Sequence, residues 1–266
     1  LLVFSFVTPA CKSEYQKTLK GTDIGKKYEL AKKYYNKNDY FRALELFEEL
    51  VNVYRGSDEA EEIYYFYAYS YFGLKDMVTA RYHFQNFAET YPRSKYTEEC
   101  RYMTAYCYYL DSPDLTLDQA STYKAIENLQ LFINLYPKSE RVNECNLLID
   151  KLRNKLETKS FLNAKLYFKI SDYKAAIFAF RNSLDDFPDS QYKEEMDFLT
   201  IKSAFLYAQN SVESKKNERF LETIDYYRNF VDTYANSKYL KEAQSIYNNT
   251  LKEIEWLLQP KTLNKF

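Results

Sequence analysis

The chain has 266 residues, and its 4 Gly, 6 Pro and 1 His stand against 29 Tyr and 19 Phe. Average glycine usage of about 7% would give roughly 19, so a turn-rich sheet or a glycine loop cradling a nucleotide is excluded; Gly21, Gly25, Gly56 and Gly73 fit no G-x-G or Walker spacing. The lone His83 removes most His-based metal and acid–base chemistry, and 37 basic against 38 acidic residues leave no nucleic-acid footprint.

The chain opens on an uncharged apolar run, Leu1 to Ala10, that ends at Cys11 and gives way to the polar KSEYQK of residues 12–17. Eleven residues are too few to span a bilayer as a helix, which needs about 20. The run reads as the end of a secretory h-region. Thr8-Pro9-Ala10-Cys11 resembles a bacterial lipobox, with a small residue before the cysteine but Thr8 where Leu is usual. The plainer reading is an apolar start with an incidental cysteine. Residues 1–10 are therefore expected to be a signal remnant and residues 11–23 a lipidated linker. Cys100, Cys107 and Cys145 are expected to be small buried hydrophobes at helix contacts. Cys100 and Cys107 lie seven residues apart on one helix, a rise of about 10 Å and too far for a disulfide.

From residue 24 onward an internal repeat takes over. Five segments end alike: 47–57 (FEELVNVYRGS), 84–94 (FQNFAETYPRS), 129–139 (LQLFINLYPKS), 180–190 (FRNSLDDFPDS) and 227–237 (YRNFVDTYANS). Four residues before each opening stands Ala43, Ala80, Ala125, Ala176 or Thr223, and on a preceding helix Ala31, Ala68, Ala105, Ala164 or Ala204. Three residues after each of those alanines comes Tyr34, Tyr71, Tyr108, Tyr167 or Tyr207. Small residues let a helix A and a helix B approach closely, and aromatics fill the wedge between hairpins. Pro92, Pro137 and Pro188 stop helix B, and the following Ser can cap the next helix. The spacing matches the tetratricopeptide repeat, whose unit is about 34 residues.

Two hairpins depart from the common length. Residues 111–119 extend the turn of hairpin three, and residues 211–217 (SVESKKN) are expected to enlarge that of hairpin five. Between Ser139 and Lys169 there is no Gly or Pro, while Val142, Cys145, Ile149, Leu152 and Leu156 recur every three or four residues, predicting one long helix. A last amphipathic helix over about 239–258 precedes Pro260. The expected fold is all-α: a right-handed tetratricopeptide-repeat solenoid of five helix hairpins plus a C-terminal capping helix, a single domain over 24–258 with a tail at 259–266.

The lipobox, the five repeats, the YP-x-S endings at 91–94 and 136–139, and the long third turn followed by the long helix together resemble the BamD family. That family is the lipoprotein subunit of the outer-membrane β-barrel assembly machinery of Gram-negative bacteria. The resemblance covers Cys11 to about residue 258, although hairpins one and five have Arg55 and Ala235 where the family pattern has Pro. It implies an acyl (palmitate) anchor on Cys11 and a place in the outer membrane facing the periplasm. It implies binding to the barrel subunit, to accessory lipoproteins and to unfolded outer-membrane proteins for insertion, with no cofactor and no catalysis.

A stripe on the helix A face is the candidate site: Tyr28, Lys32 and Tyr35, then Tyr65, Tyr69 and Phe72, then Tyr102, Tyr106 and Tyr109. Spacing of i, i+4 and i+7 places each set on one helical face. Tyrosines offer rigid apolar area with hydroxyl hydrogen bonds, suited to an extended peptide; equally, they can pack a narrow inner side. His83 is expected to be a packed or surface histidine, not a ligand. Two other readings stay open: a tetratricopeptide adaptor lipoprotein of peptidoglycan or division machinery, and a glycan-binding lipoprotein.

Overall fold

The structure, a computed structural model, describes residues 14–259. Among these the chain forms twelve helices: α1 (Glu14–Leu19), α2 (Ile24–Tyr35), α3 (Tyr40–Val53), α4 (Ala60–Gly73), α5 (Met77–Thr90), α6 (Thr97–Leu110), α7 (Ala120–Leu135), α8 (Val142–Lys169), α9 (Tyr173–Asp186), α10 (Lys193–Gln209), α11 (Glu213–Thr233) and α12 (Leu240–Leu258). The pairs α2–α3, α4–α5, α6–α7, α8–α9 and α10–α11 are the five hairpins. The long helix and the last helix begin within three residues of their predicted starts and end where expected. The proposed signal remnant, Cys11 and the end of the tail lie outside the described residues.

The chain divides into two compact units inside α8, one running to Leu152 and the other starting at Arg153. The first holds three hairpins around Leu46, Phe47, Leu50, Phe84, Phe87 and Phe132. The second holds the C-terminal part of α8 with α9–α12 around Phe161, Phe180, Met196 and Phe230.

The small-residue positions are where the helices touch. Ala31, Ala43, Ala68, Ala80, Ala105, Ala125, Ala164 and Ala176 are wholly buried, and Ala204 and Thr223 nearly so. A methyl group there allows a backbone approach that any larger side chain would prop open. The serine endings are equally uniform. The hydroxyls of Ser57, Ser94, Ser139, Ser190 and Ser237 each accept from the backbone N–H two residues on at 3.0–3.2 Å. Their carbonyls accept from the first N–H of the next helix at 3.1–3.3 Å. These bonds satisfy helix-start donors that otherwise have no partner. Hairpin one lacks Pro there and turns instead through Gly56 at φ +87°, a conformation that favours glycine.

The A–B turns carry a device absent from the sequence reading. Asn38, Lys75 and Ser171 take φ of 58°, 63° and 65°. Asp39, Asp76 and Asp172 follow and accept from the N–H three residues on, capping helix B. Asp four residues ahead of Ala43, Ala80 and Ala176 is the signal in the sequence.

Two expectations need correction. Residues 211–217 do not enlarge a turn: α11 begins at Glu213 and runs 21 residues, so the extra length enters helix B. The run ESKKNER contains no Gly or Pro, Lys215 pairs with Glu218 one turn on, and the Arg219 guanidinium lies 4.0 Å over the Tyr207 ring. Within the expected linker, α1 forms because Tyr15 and Thr18 are buried against the first hairpin.

Candidate binding face of the A helices

In repeat register, the stripe has three positions on each helix A, and each has its own environment. The first position is covered by the residue just before the next helix A. Tyr96 stacks on Tyr65 with ring centroids 4.3 Å apart, and the Arg141 guanidinium lies 3.9 Å over Tyr102. The same register continues in the second compact unit, where Tyr192 stacks on Phe161 at 4.3 Å and Tyr239 on Phe198 at 4.5 Å. Such stacked pairs add about 0.5–1.5 kcal/mol beyond area burial.

Most junctions between successive A helices are tied to a glutamate at the third residue of the next helix. Lys32 approaches Glu62 at 3.8 Å, Tyr69 donates to Glu99 at 2.5 Å, and Tyr102 donates to Glu144 at 2.8 Å. Lys165 reaches Glu195, and Lys202 reaches Glu242, each at 2.7 Å. A carboxylate in the first turn is favoured by the unpaired N–H groups there, so the acceptor is always Glu while the donor varies. Burial first, and then the Glu99 hydrogen bond, push the Tyr69 phenol well above its ordinary value. Tyr102 is raised in the same way, by burial and then by Glu144.

The third position holds Tyr35, Phe72 and Tyr109, with Phe168 and Phe205 as its counterparts, all half-buried. Tyr35 packs on Phe66 at 4.7 Å. Tyr102, Tyr106 and Tyr109 form a stacked ladder at 5.6 and 5.9 Å.

The predicted stripe thus exists as one register, but it is not an open row of rings. Tyr28 and Tyr102 are buried, because the following hairpin closes over the first position. Tyr35, Tyr65, Tyr69, Phe72, Tyr106 and Tyr109 are half-open, and Tyr69 is already committed to Glu99. In the second compact unit the same repeat positions are held by Phe161, Lys165 and Phe168 and by Phe198, Lys202 and Phe205, which the sequence pattern also places. The spacing from Ala164 would have located the first of these sets.

The remaining singled-out residues are structural. His83 sits half-buried among Tyr64, Tyr67, Tyr71 and Tyr82, stacked on Tyr71 at 5.1 Å. Its Nδ1 lies 3.3 Å from the Tyr64 hydroxyl, and burial lowers its pKa. Cys100, Cys107 and Cys145 are free and fully buried. Burial pushes the Cys107 thiol up to about 12 and the Cys145 thiol to about 11, so both stay protonated and unreactive.

A register of helix hairpins whose A helices present half-open aromatics defines a tetratricopeptide-type protein of the kind that binds other proteins. Residues 22–216 match the model of the YfiO family, described as an outer membrane lipoprotein. The chain belongs to that family, in agreement with the BamD resemblance read from its repeats and long third turn. Comparison with curated proteins gives no match. Among solved structures, the TPR2AB-domain:pHSP90 complex of yeast Sti1 is similar at 14% identity, covering 86% of this chain and 98% of that one, with a TM-score of 0.40. The TPR domain of P58(IPK) is similar at 12% identity, covering 86% and 66%, with a TM-score of 0.42. The repeat assignment rests on the hairpins described above and not on these likenesses.

Proposed function

We propose that the protein is a non-catalytic scaffold of the outer-membrane β-barrel assembly machinery, acylated at Cys11 and facing the periplasm. Its C-terminal hairpins hold the periplasmic domains of the barrel subunit and accessory lipoproteins. Its N-terminal hairpins receive unfolded outer-membrane proteins. The observation that carries this reading is membership in an outer membrane lipoprotein family by a chain built of tetratricopeptide hairpins. Affinity purification from detergent-solubilised membranes tests it: recovery of the barrel-assembly subunit supports the reading, and recovery of cell-wall synthases in its place overturns it.

Substrate binding belongs to the half-open part of the stripe. A C-terminal strand of an outer-membrane barrel, with alternating aromatic side chains, can lay its rings against Tyr35, Tyr106 and Tyr109. Replacing Tyr106 and Tyr109 together by Ala should weaken such a peptide about tenfold in calorimetry, given the 1 kcal/mol or more typical of aromatic anchors, with the circular dichroism unchanged. Unaltered affinity would assign the ladder to packing alone.

A further inference from the structure

Within the first compact unit, the A–B turns of the three hairpins adjoin one another along one edge. Gly73 at the end of α4 faces Tyr40 at the start of α3 so closely that a Cβ there would clash with the ring. Arg81 on α5 pairs with Asp111 just past α6 at 3.4 Å and lies 4.1 Å over the Tyr108 ring. This edge carries large hydrophobics that the core does not use. Phe41, Val78, Tyr82 and Tyr123, all in the first two turns of a helix B, are 62, 57, 63 and 61% exposed, and Leu74 and Leu110 flank them. Phe41, Val78 and Tyr123 stand in the same repeat position, two residues before Ala43, Ala80 and Ala125. Near 200° around the helix from those buried alanines, they point outward. At the opposite edge, the B–A turns expose Asp58, Arg93, Lys95, Lys138 and Glu140, with Val53 and Leu135 the large hydrophobics at the helix ends there.

The N-terminal end of α1 lies at the apolar edge. Glu14 pairs with Lys33 near the end of α2. Tyr15 packs edge-on against Tyr34 at 5.4 Å and donates to Glu45, with Arg42 over its ring. From there α1 runs toward the far end, where α2 begins. Cys11 is three residues before Glu14, a stretch that reaches at most about 11 Å. An acyl group on Cys11 would therefore enter the bilayer beside this edge and not beside the charged one.

We infer that the A–B-turn edge of the first three hairpins is a membrane-contact surface, resting on the lipid interface through Phe41, Val78, Tyr82 and Tyr123. The occupant is the lipid interface itself. Phe and Tyr rings partition to the headgroup level, and no described helix is long and apolar enough to cross a membrane. The basic side chains at this edge, Lys37, Arg42, Lys75, Arg81 and Lys124, are matched in number by Asp39, Asp76, Asp111, Asp114 and Asp118, with Arg42 paired to Asp39 and Arg81 to Asp111. The contact is accordingly apolar and insensitive to salt. The direction of the argument rests on the Cys11 anchor proposed above, so the test replaces that anchor.

Full-length Cys11→Ser protein carrying an N-terminal oligohistidine is tethered to phosphatidylcholine vesicles doped with nickel-chelating lipid. An environment-sensitive fluorophore is placed on Val78→Cys or, as control, on Arg93→Cys. The three native cysteines are fully buried and stay unlabelled. A blue shift at position 78 and none at 93, unchanged in high salt, is the expected result. No shift at either position, or equal shifts at both, overturns the inference, as does a shift at 78 that appears only when a membrane protein is added. Converting Phe41, Tyr82 and Tyr123 to Asp should abolish the shift and cut vesicle partitioning of the untethered chain by about tenfold or more. These side chains are exposed, so the fold remains. Acylation of Cys11 is scored separately by intact mass of the protein from membranes, so failure of the anchor reading and failure of the edge are distinguishable.

Discussion

In the first compact unit Tyr69 and Tyr102 give a hydroxyl hydrogen bond to Glu99 and Glu144, whereas in the second Lys165 and Lys202 give an ammonium to Glu195 and Glu242. The first-position ring changes in parallel: tyrosine at residues 28, 65 and 102, phenylalanine at 161 and 198. At Tyr102 one side chain is both the covered ring and the donor, while on α4 the ring is Tyr65 and the donor is Tyr69 one turn on. Where the ring is Phe, the donor must come from elsewhere, and a lysine one turn on supplies it, its ammonium 5.0 Å from the Phe161 centroid. Hairpin one, with Tyr28 and Lys32, uses both. The acceptor does not vary because its place in the helix first turn does not. What a partner meets therefore differs: phenol-rich along α4 and α6, Phe and Lys along α8 and α10.

The largest effect should come from the ring position. Phe161→Ala or Phe198→Ala removes a buried ring stacked on the next hairpin, costing about 3–5 kcal/mol. Tyr65→Ala, from a half-open site, should cost about 2 kcal/mol. Urea denaturation with segment-resolved hydrogen exchange reads both, and equal losses would erase the distinction between the units. A smaller difference is expected at the carboxylates. Glu99→Gln disturbs two hydrogen bonds, from Tyr69 at 2.5 Å and from Arg141 at 2.6 Å, and should cost about 1–3 kcal/mol. Glu195→Gln breaks one partly exposed lysine pair, worth about 0–1 kcal/mol, and this loss should disappear in high salt, whereas the Tyr69 part of the Glu99 loss should persist. The smallest effect belongs to His83. Its folded pKa lies below the ordinary 6.5, so the unfolded chain takes up the proton first. Stability should be complete above pH 6.5, decline as pH falls below it, and level off once the folded pKa is passed. His83→Phe should remove that slope, and an unchanged slope in thermal melts would place its origin elsewhere.

Much of this fold was legible in order and spacing because each repeat position must satisfy a local demand. Ala68 or Ala105 must be small for two backbones to meet, and Ser94 or Ser190 must offer an oxygen two residues ahead of an open N–H. The stretch from Ser139 to Lys169 lacks any breaker, so it continues as α8. The candidate site was legible as a stripe but not in its accessibility. Whether Tyr65 is covered depends on Tyr96, and whether Tyr102 is covered depends on Arg141, partners about 30 to 40 residues away. The length of α11 was misjudged for a related reason: an insertion rich in helix formers can lengthen a turn or a helix, and packing of Arg219 on Tyr207 decides which.

The sequence by itself determined that the chain is helical, that it repeats in hairpins, and that it belongs with outer membrane lipoproteins, since these follow from residue size, breakers and motif order. Tertiary structure decided which tyrosines are closed by the next hairpin, which glutamates receive them, and that the apolar turn edge lies beside the start of α1. These depend on contacts between residues distant along the chain, formed only once the hairpins stack, and 29 tyrosines alike in sequence are sorted by that stacking into covered, tied and open.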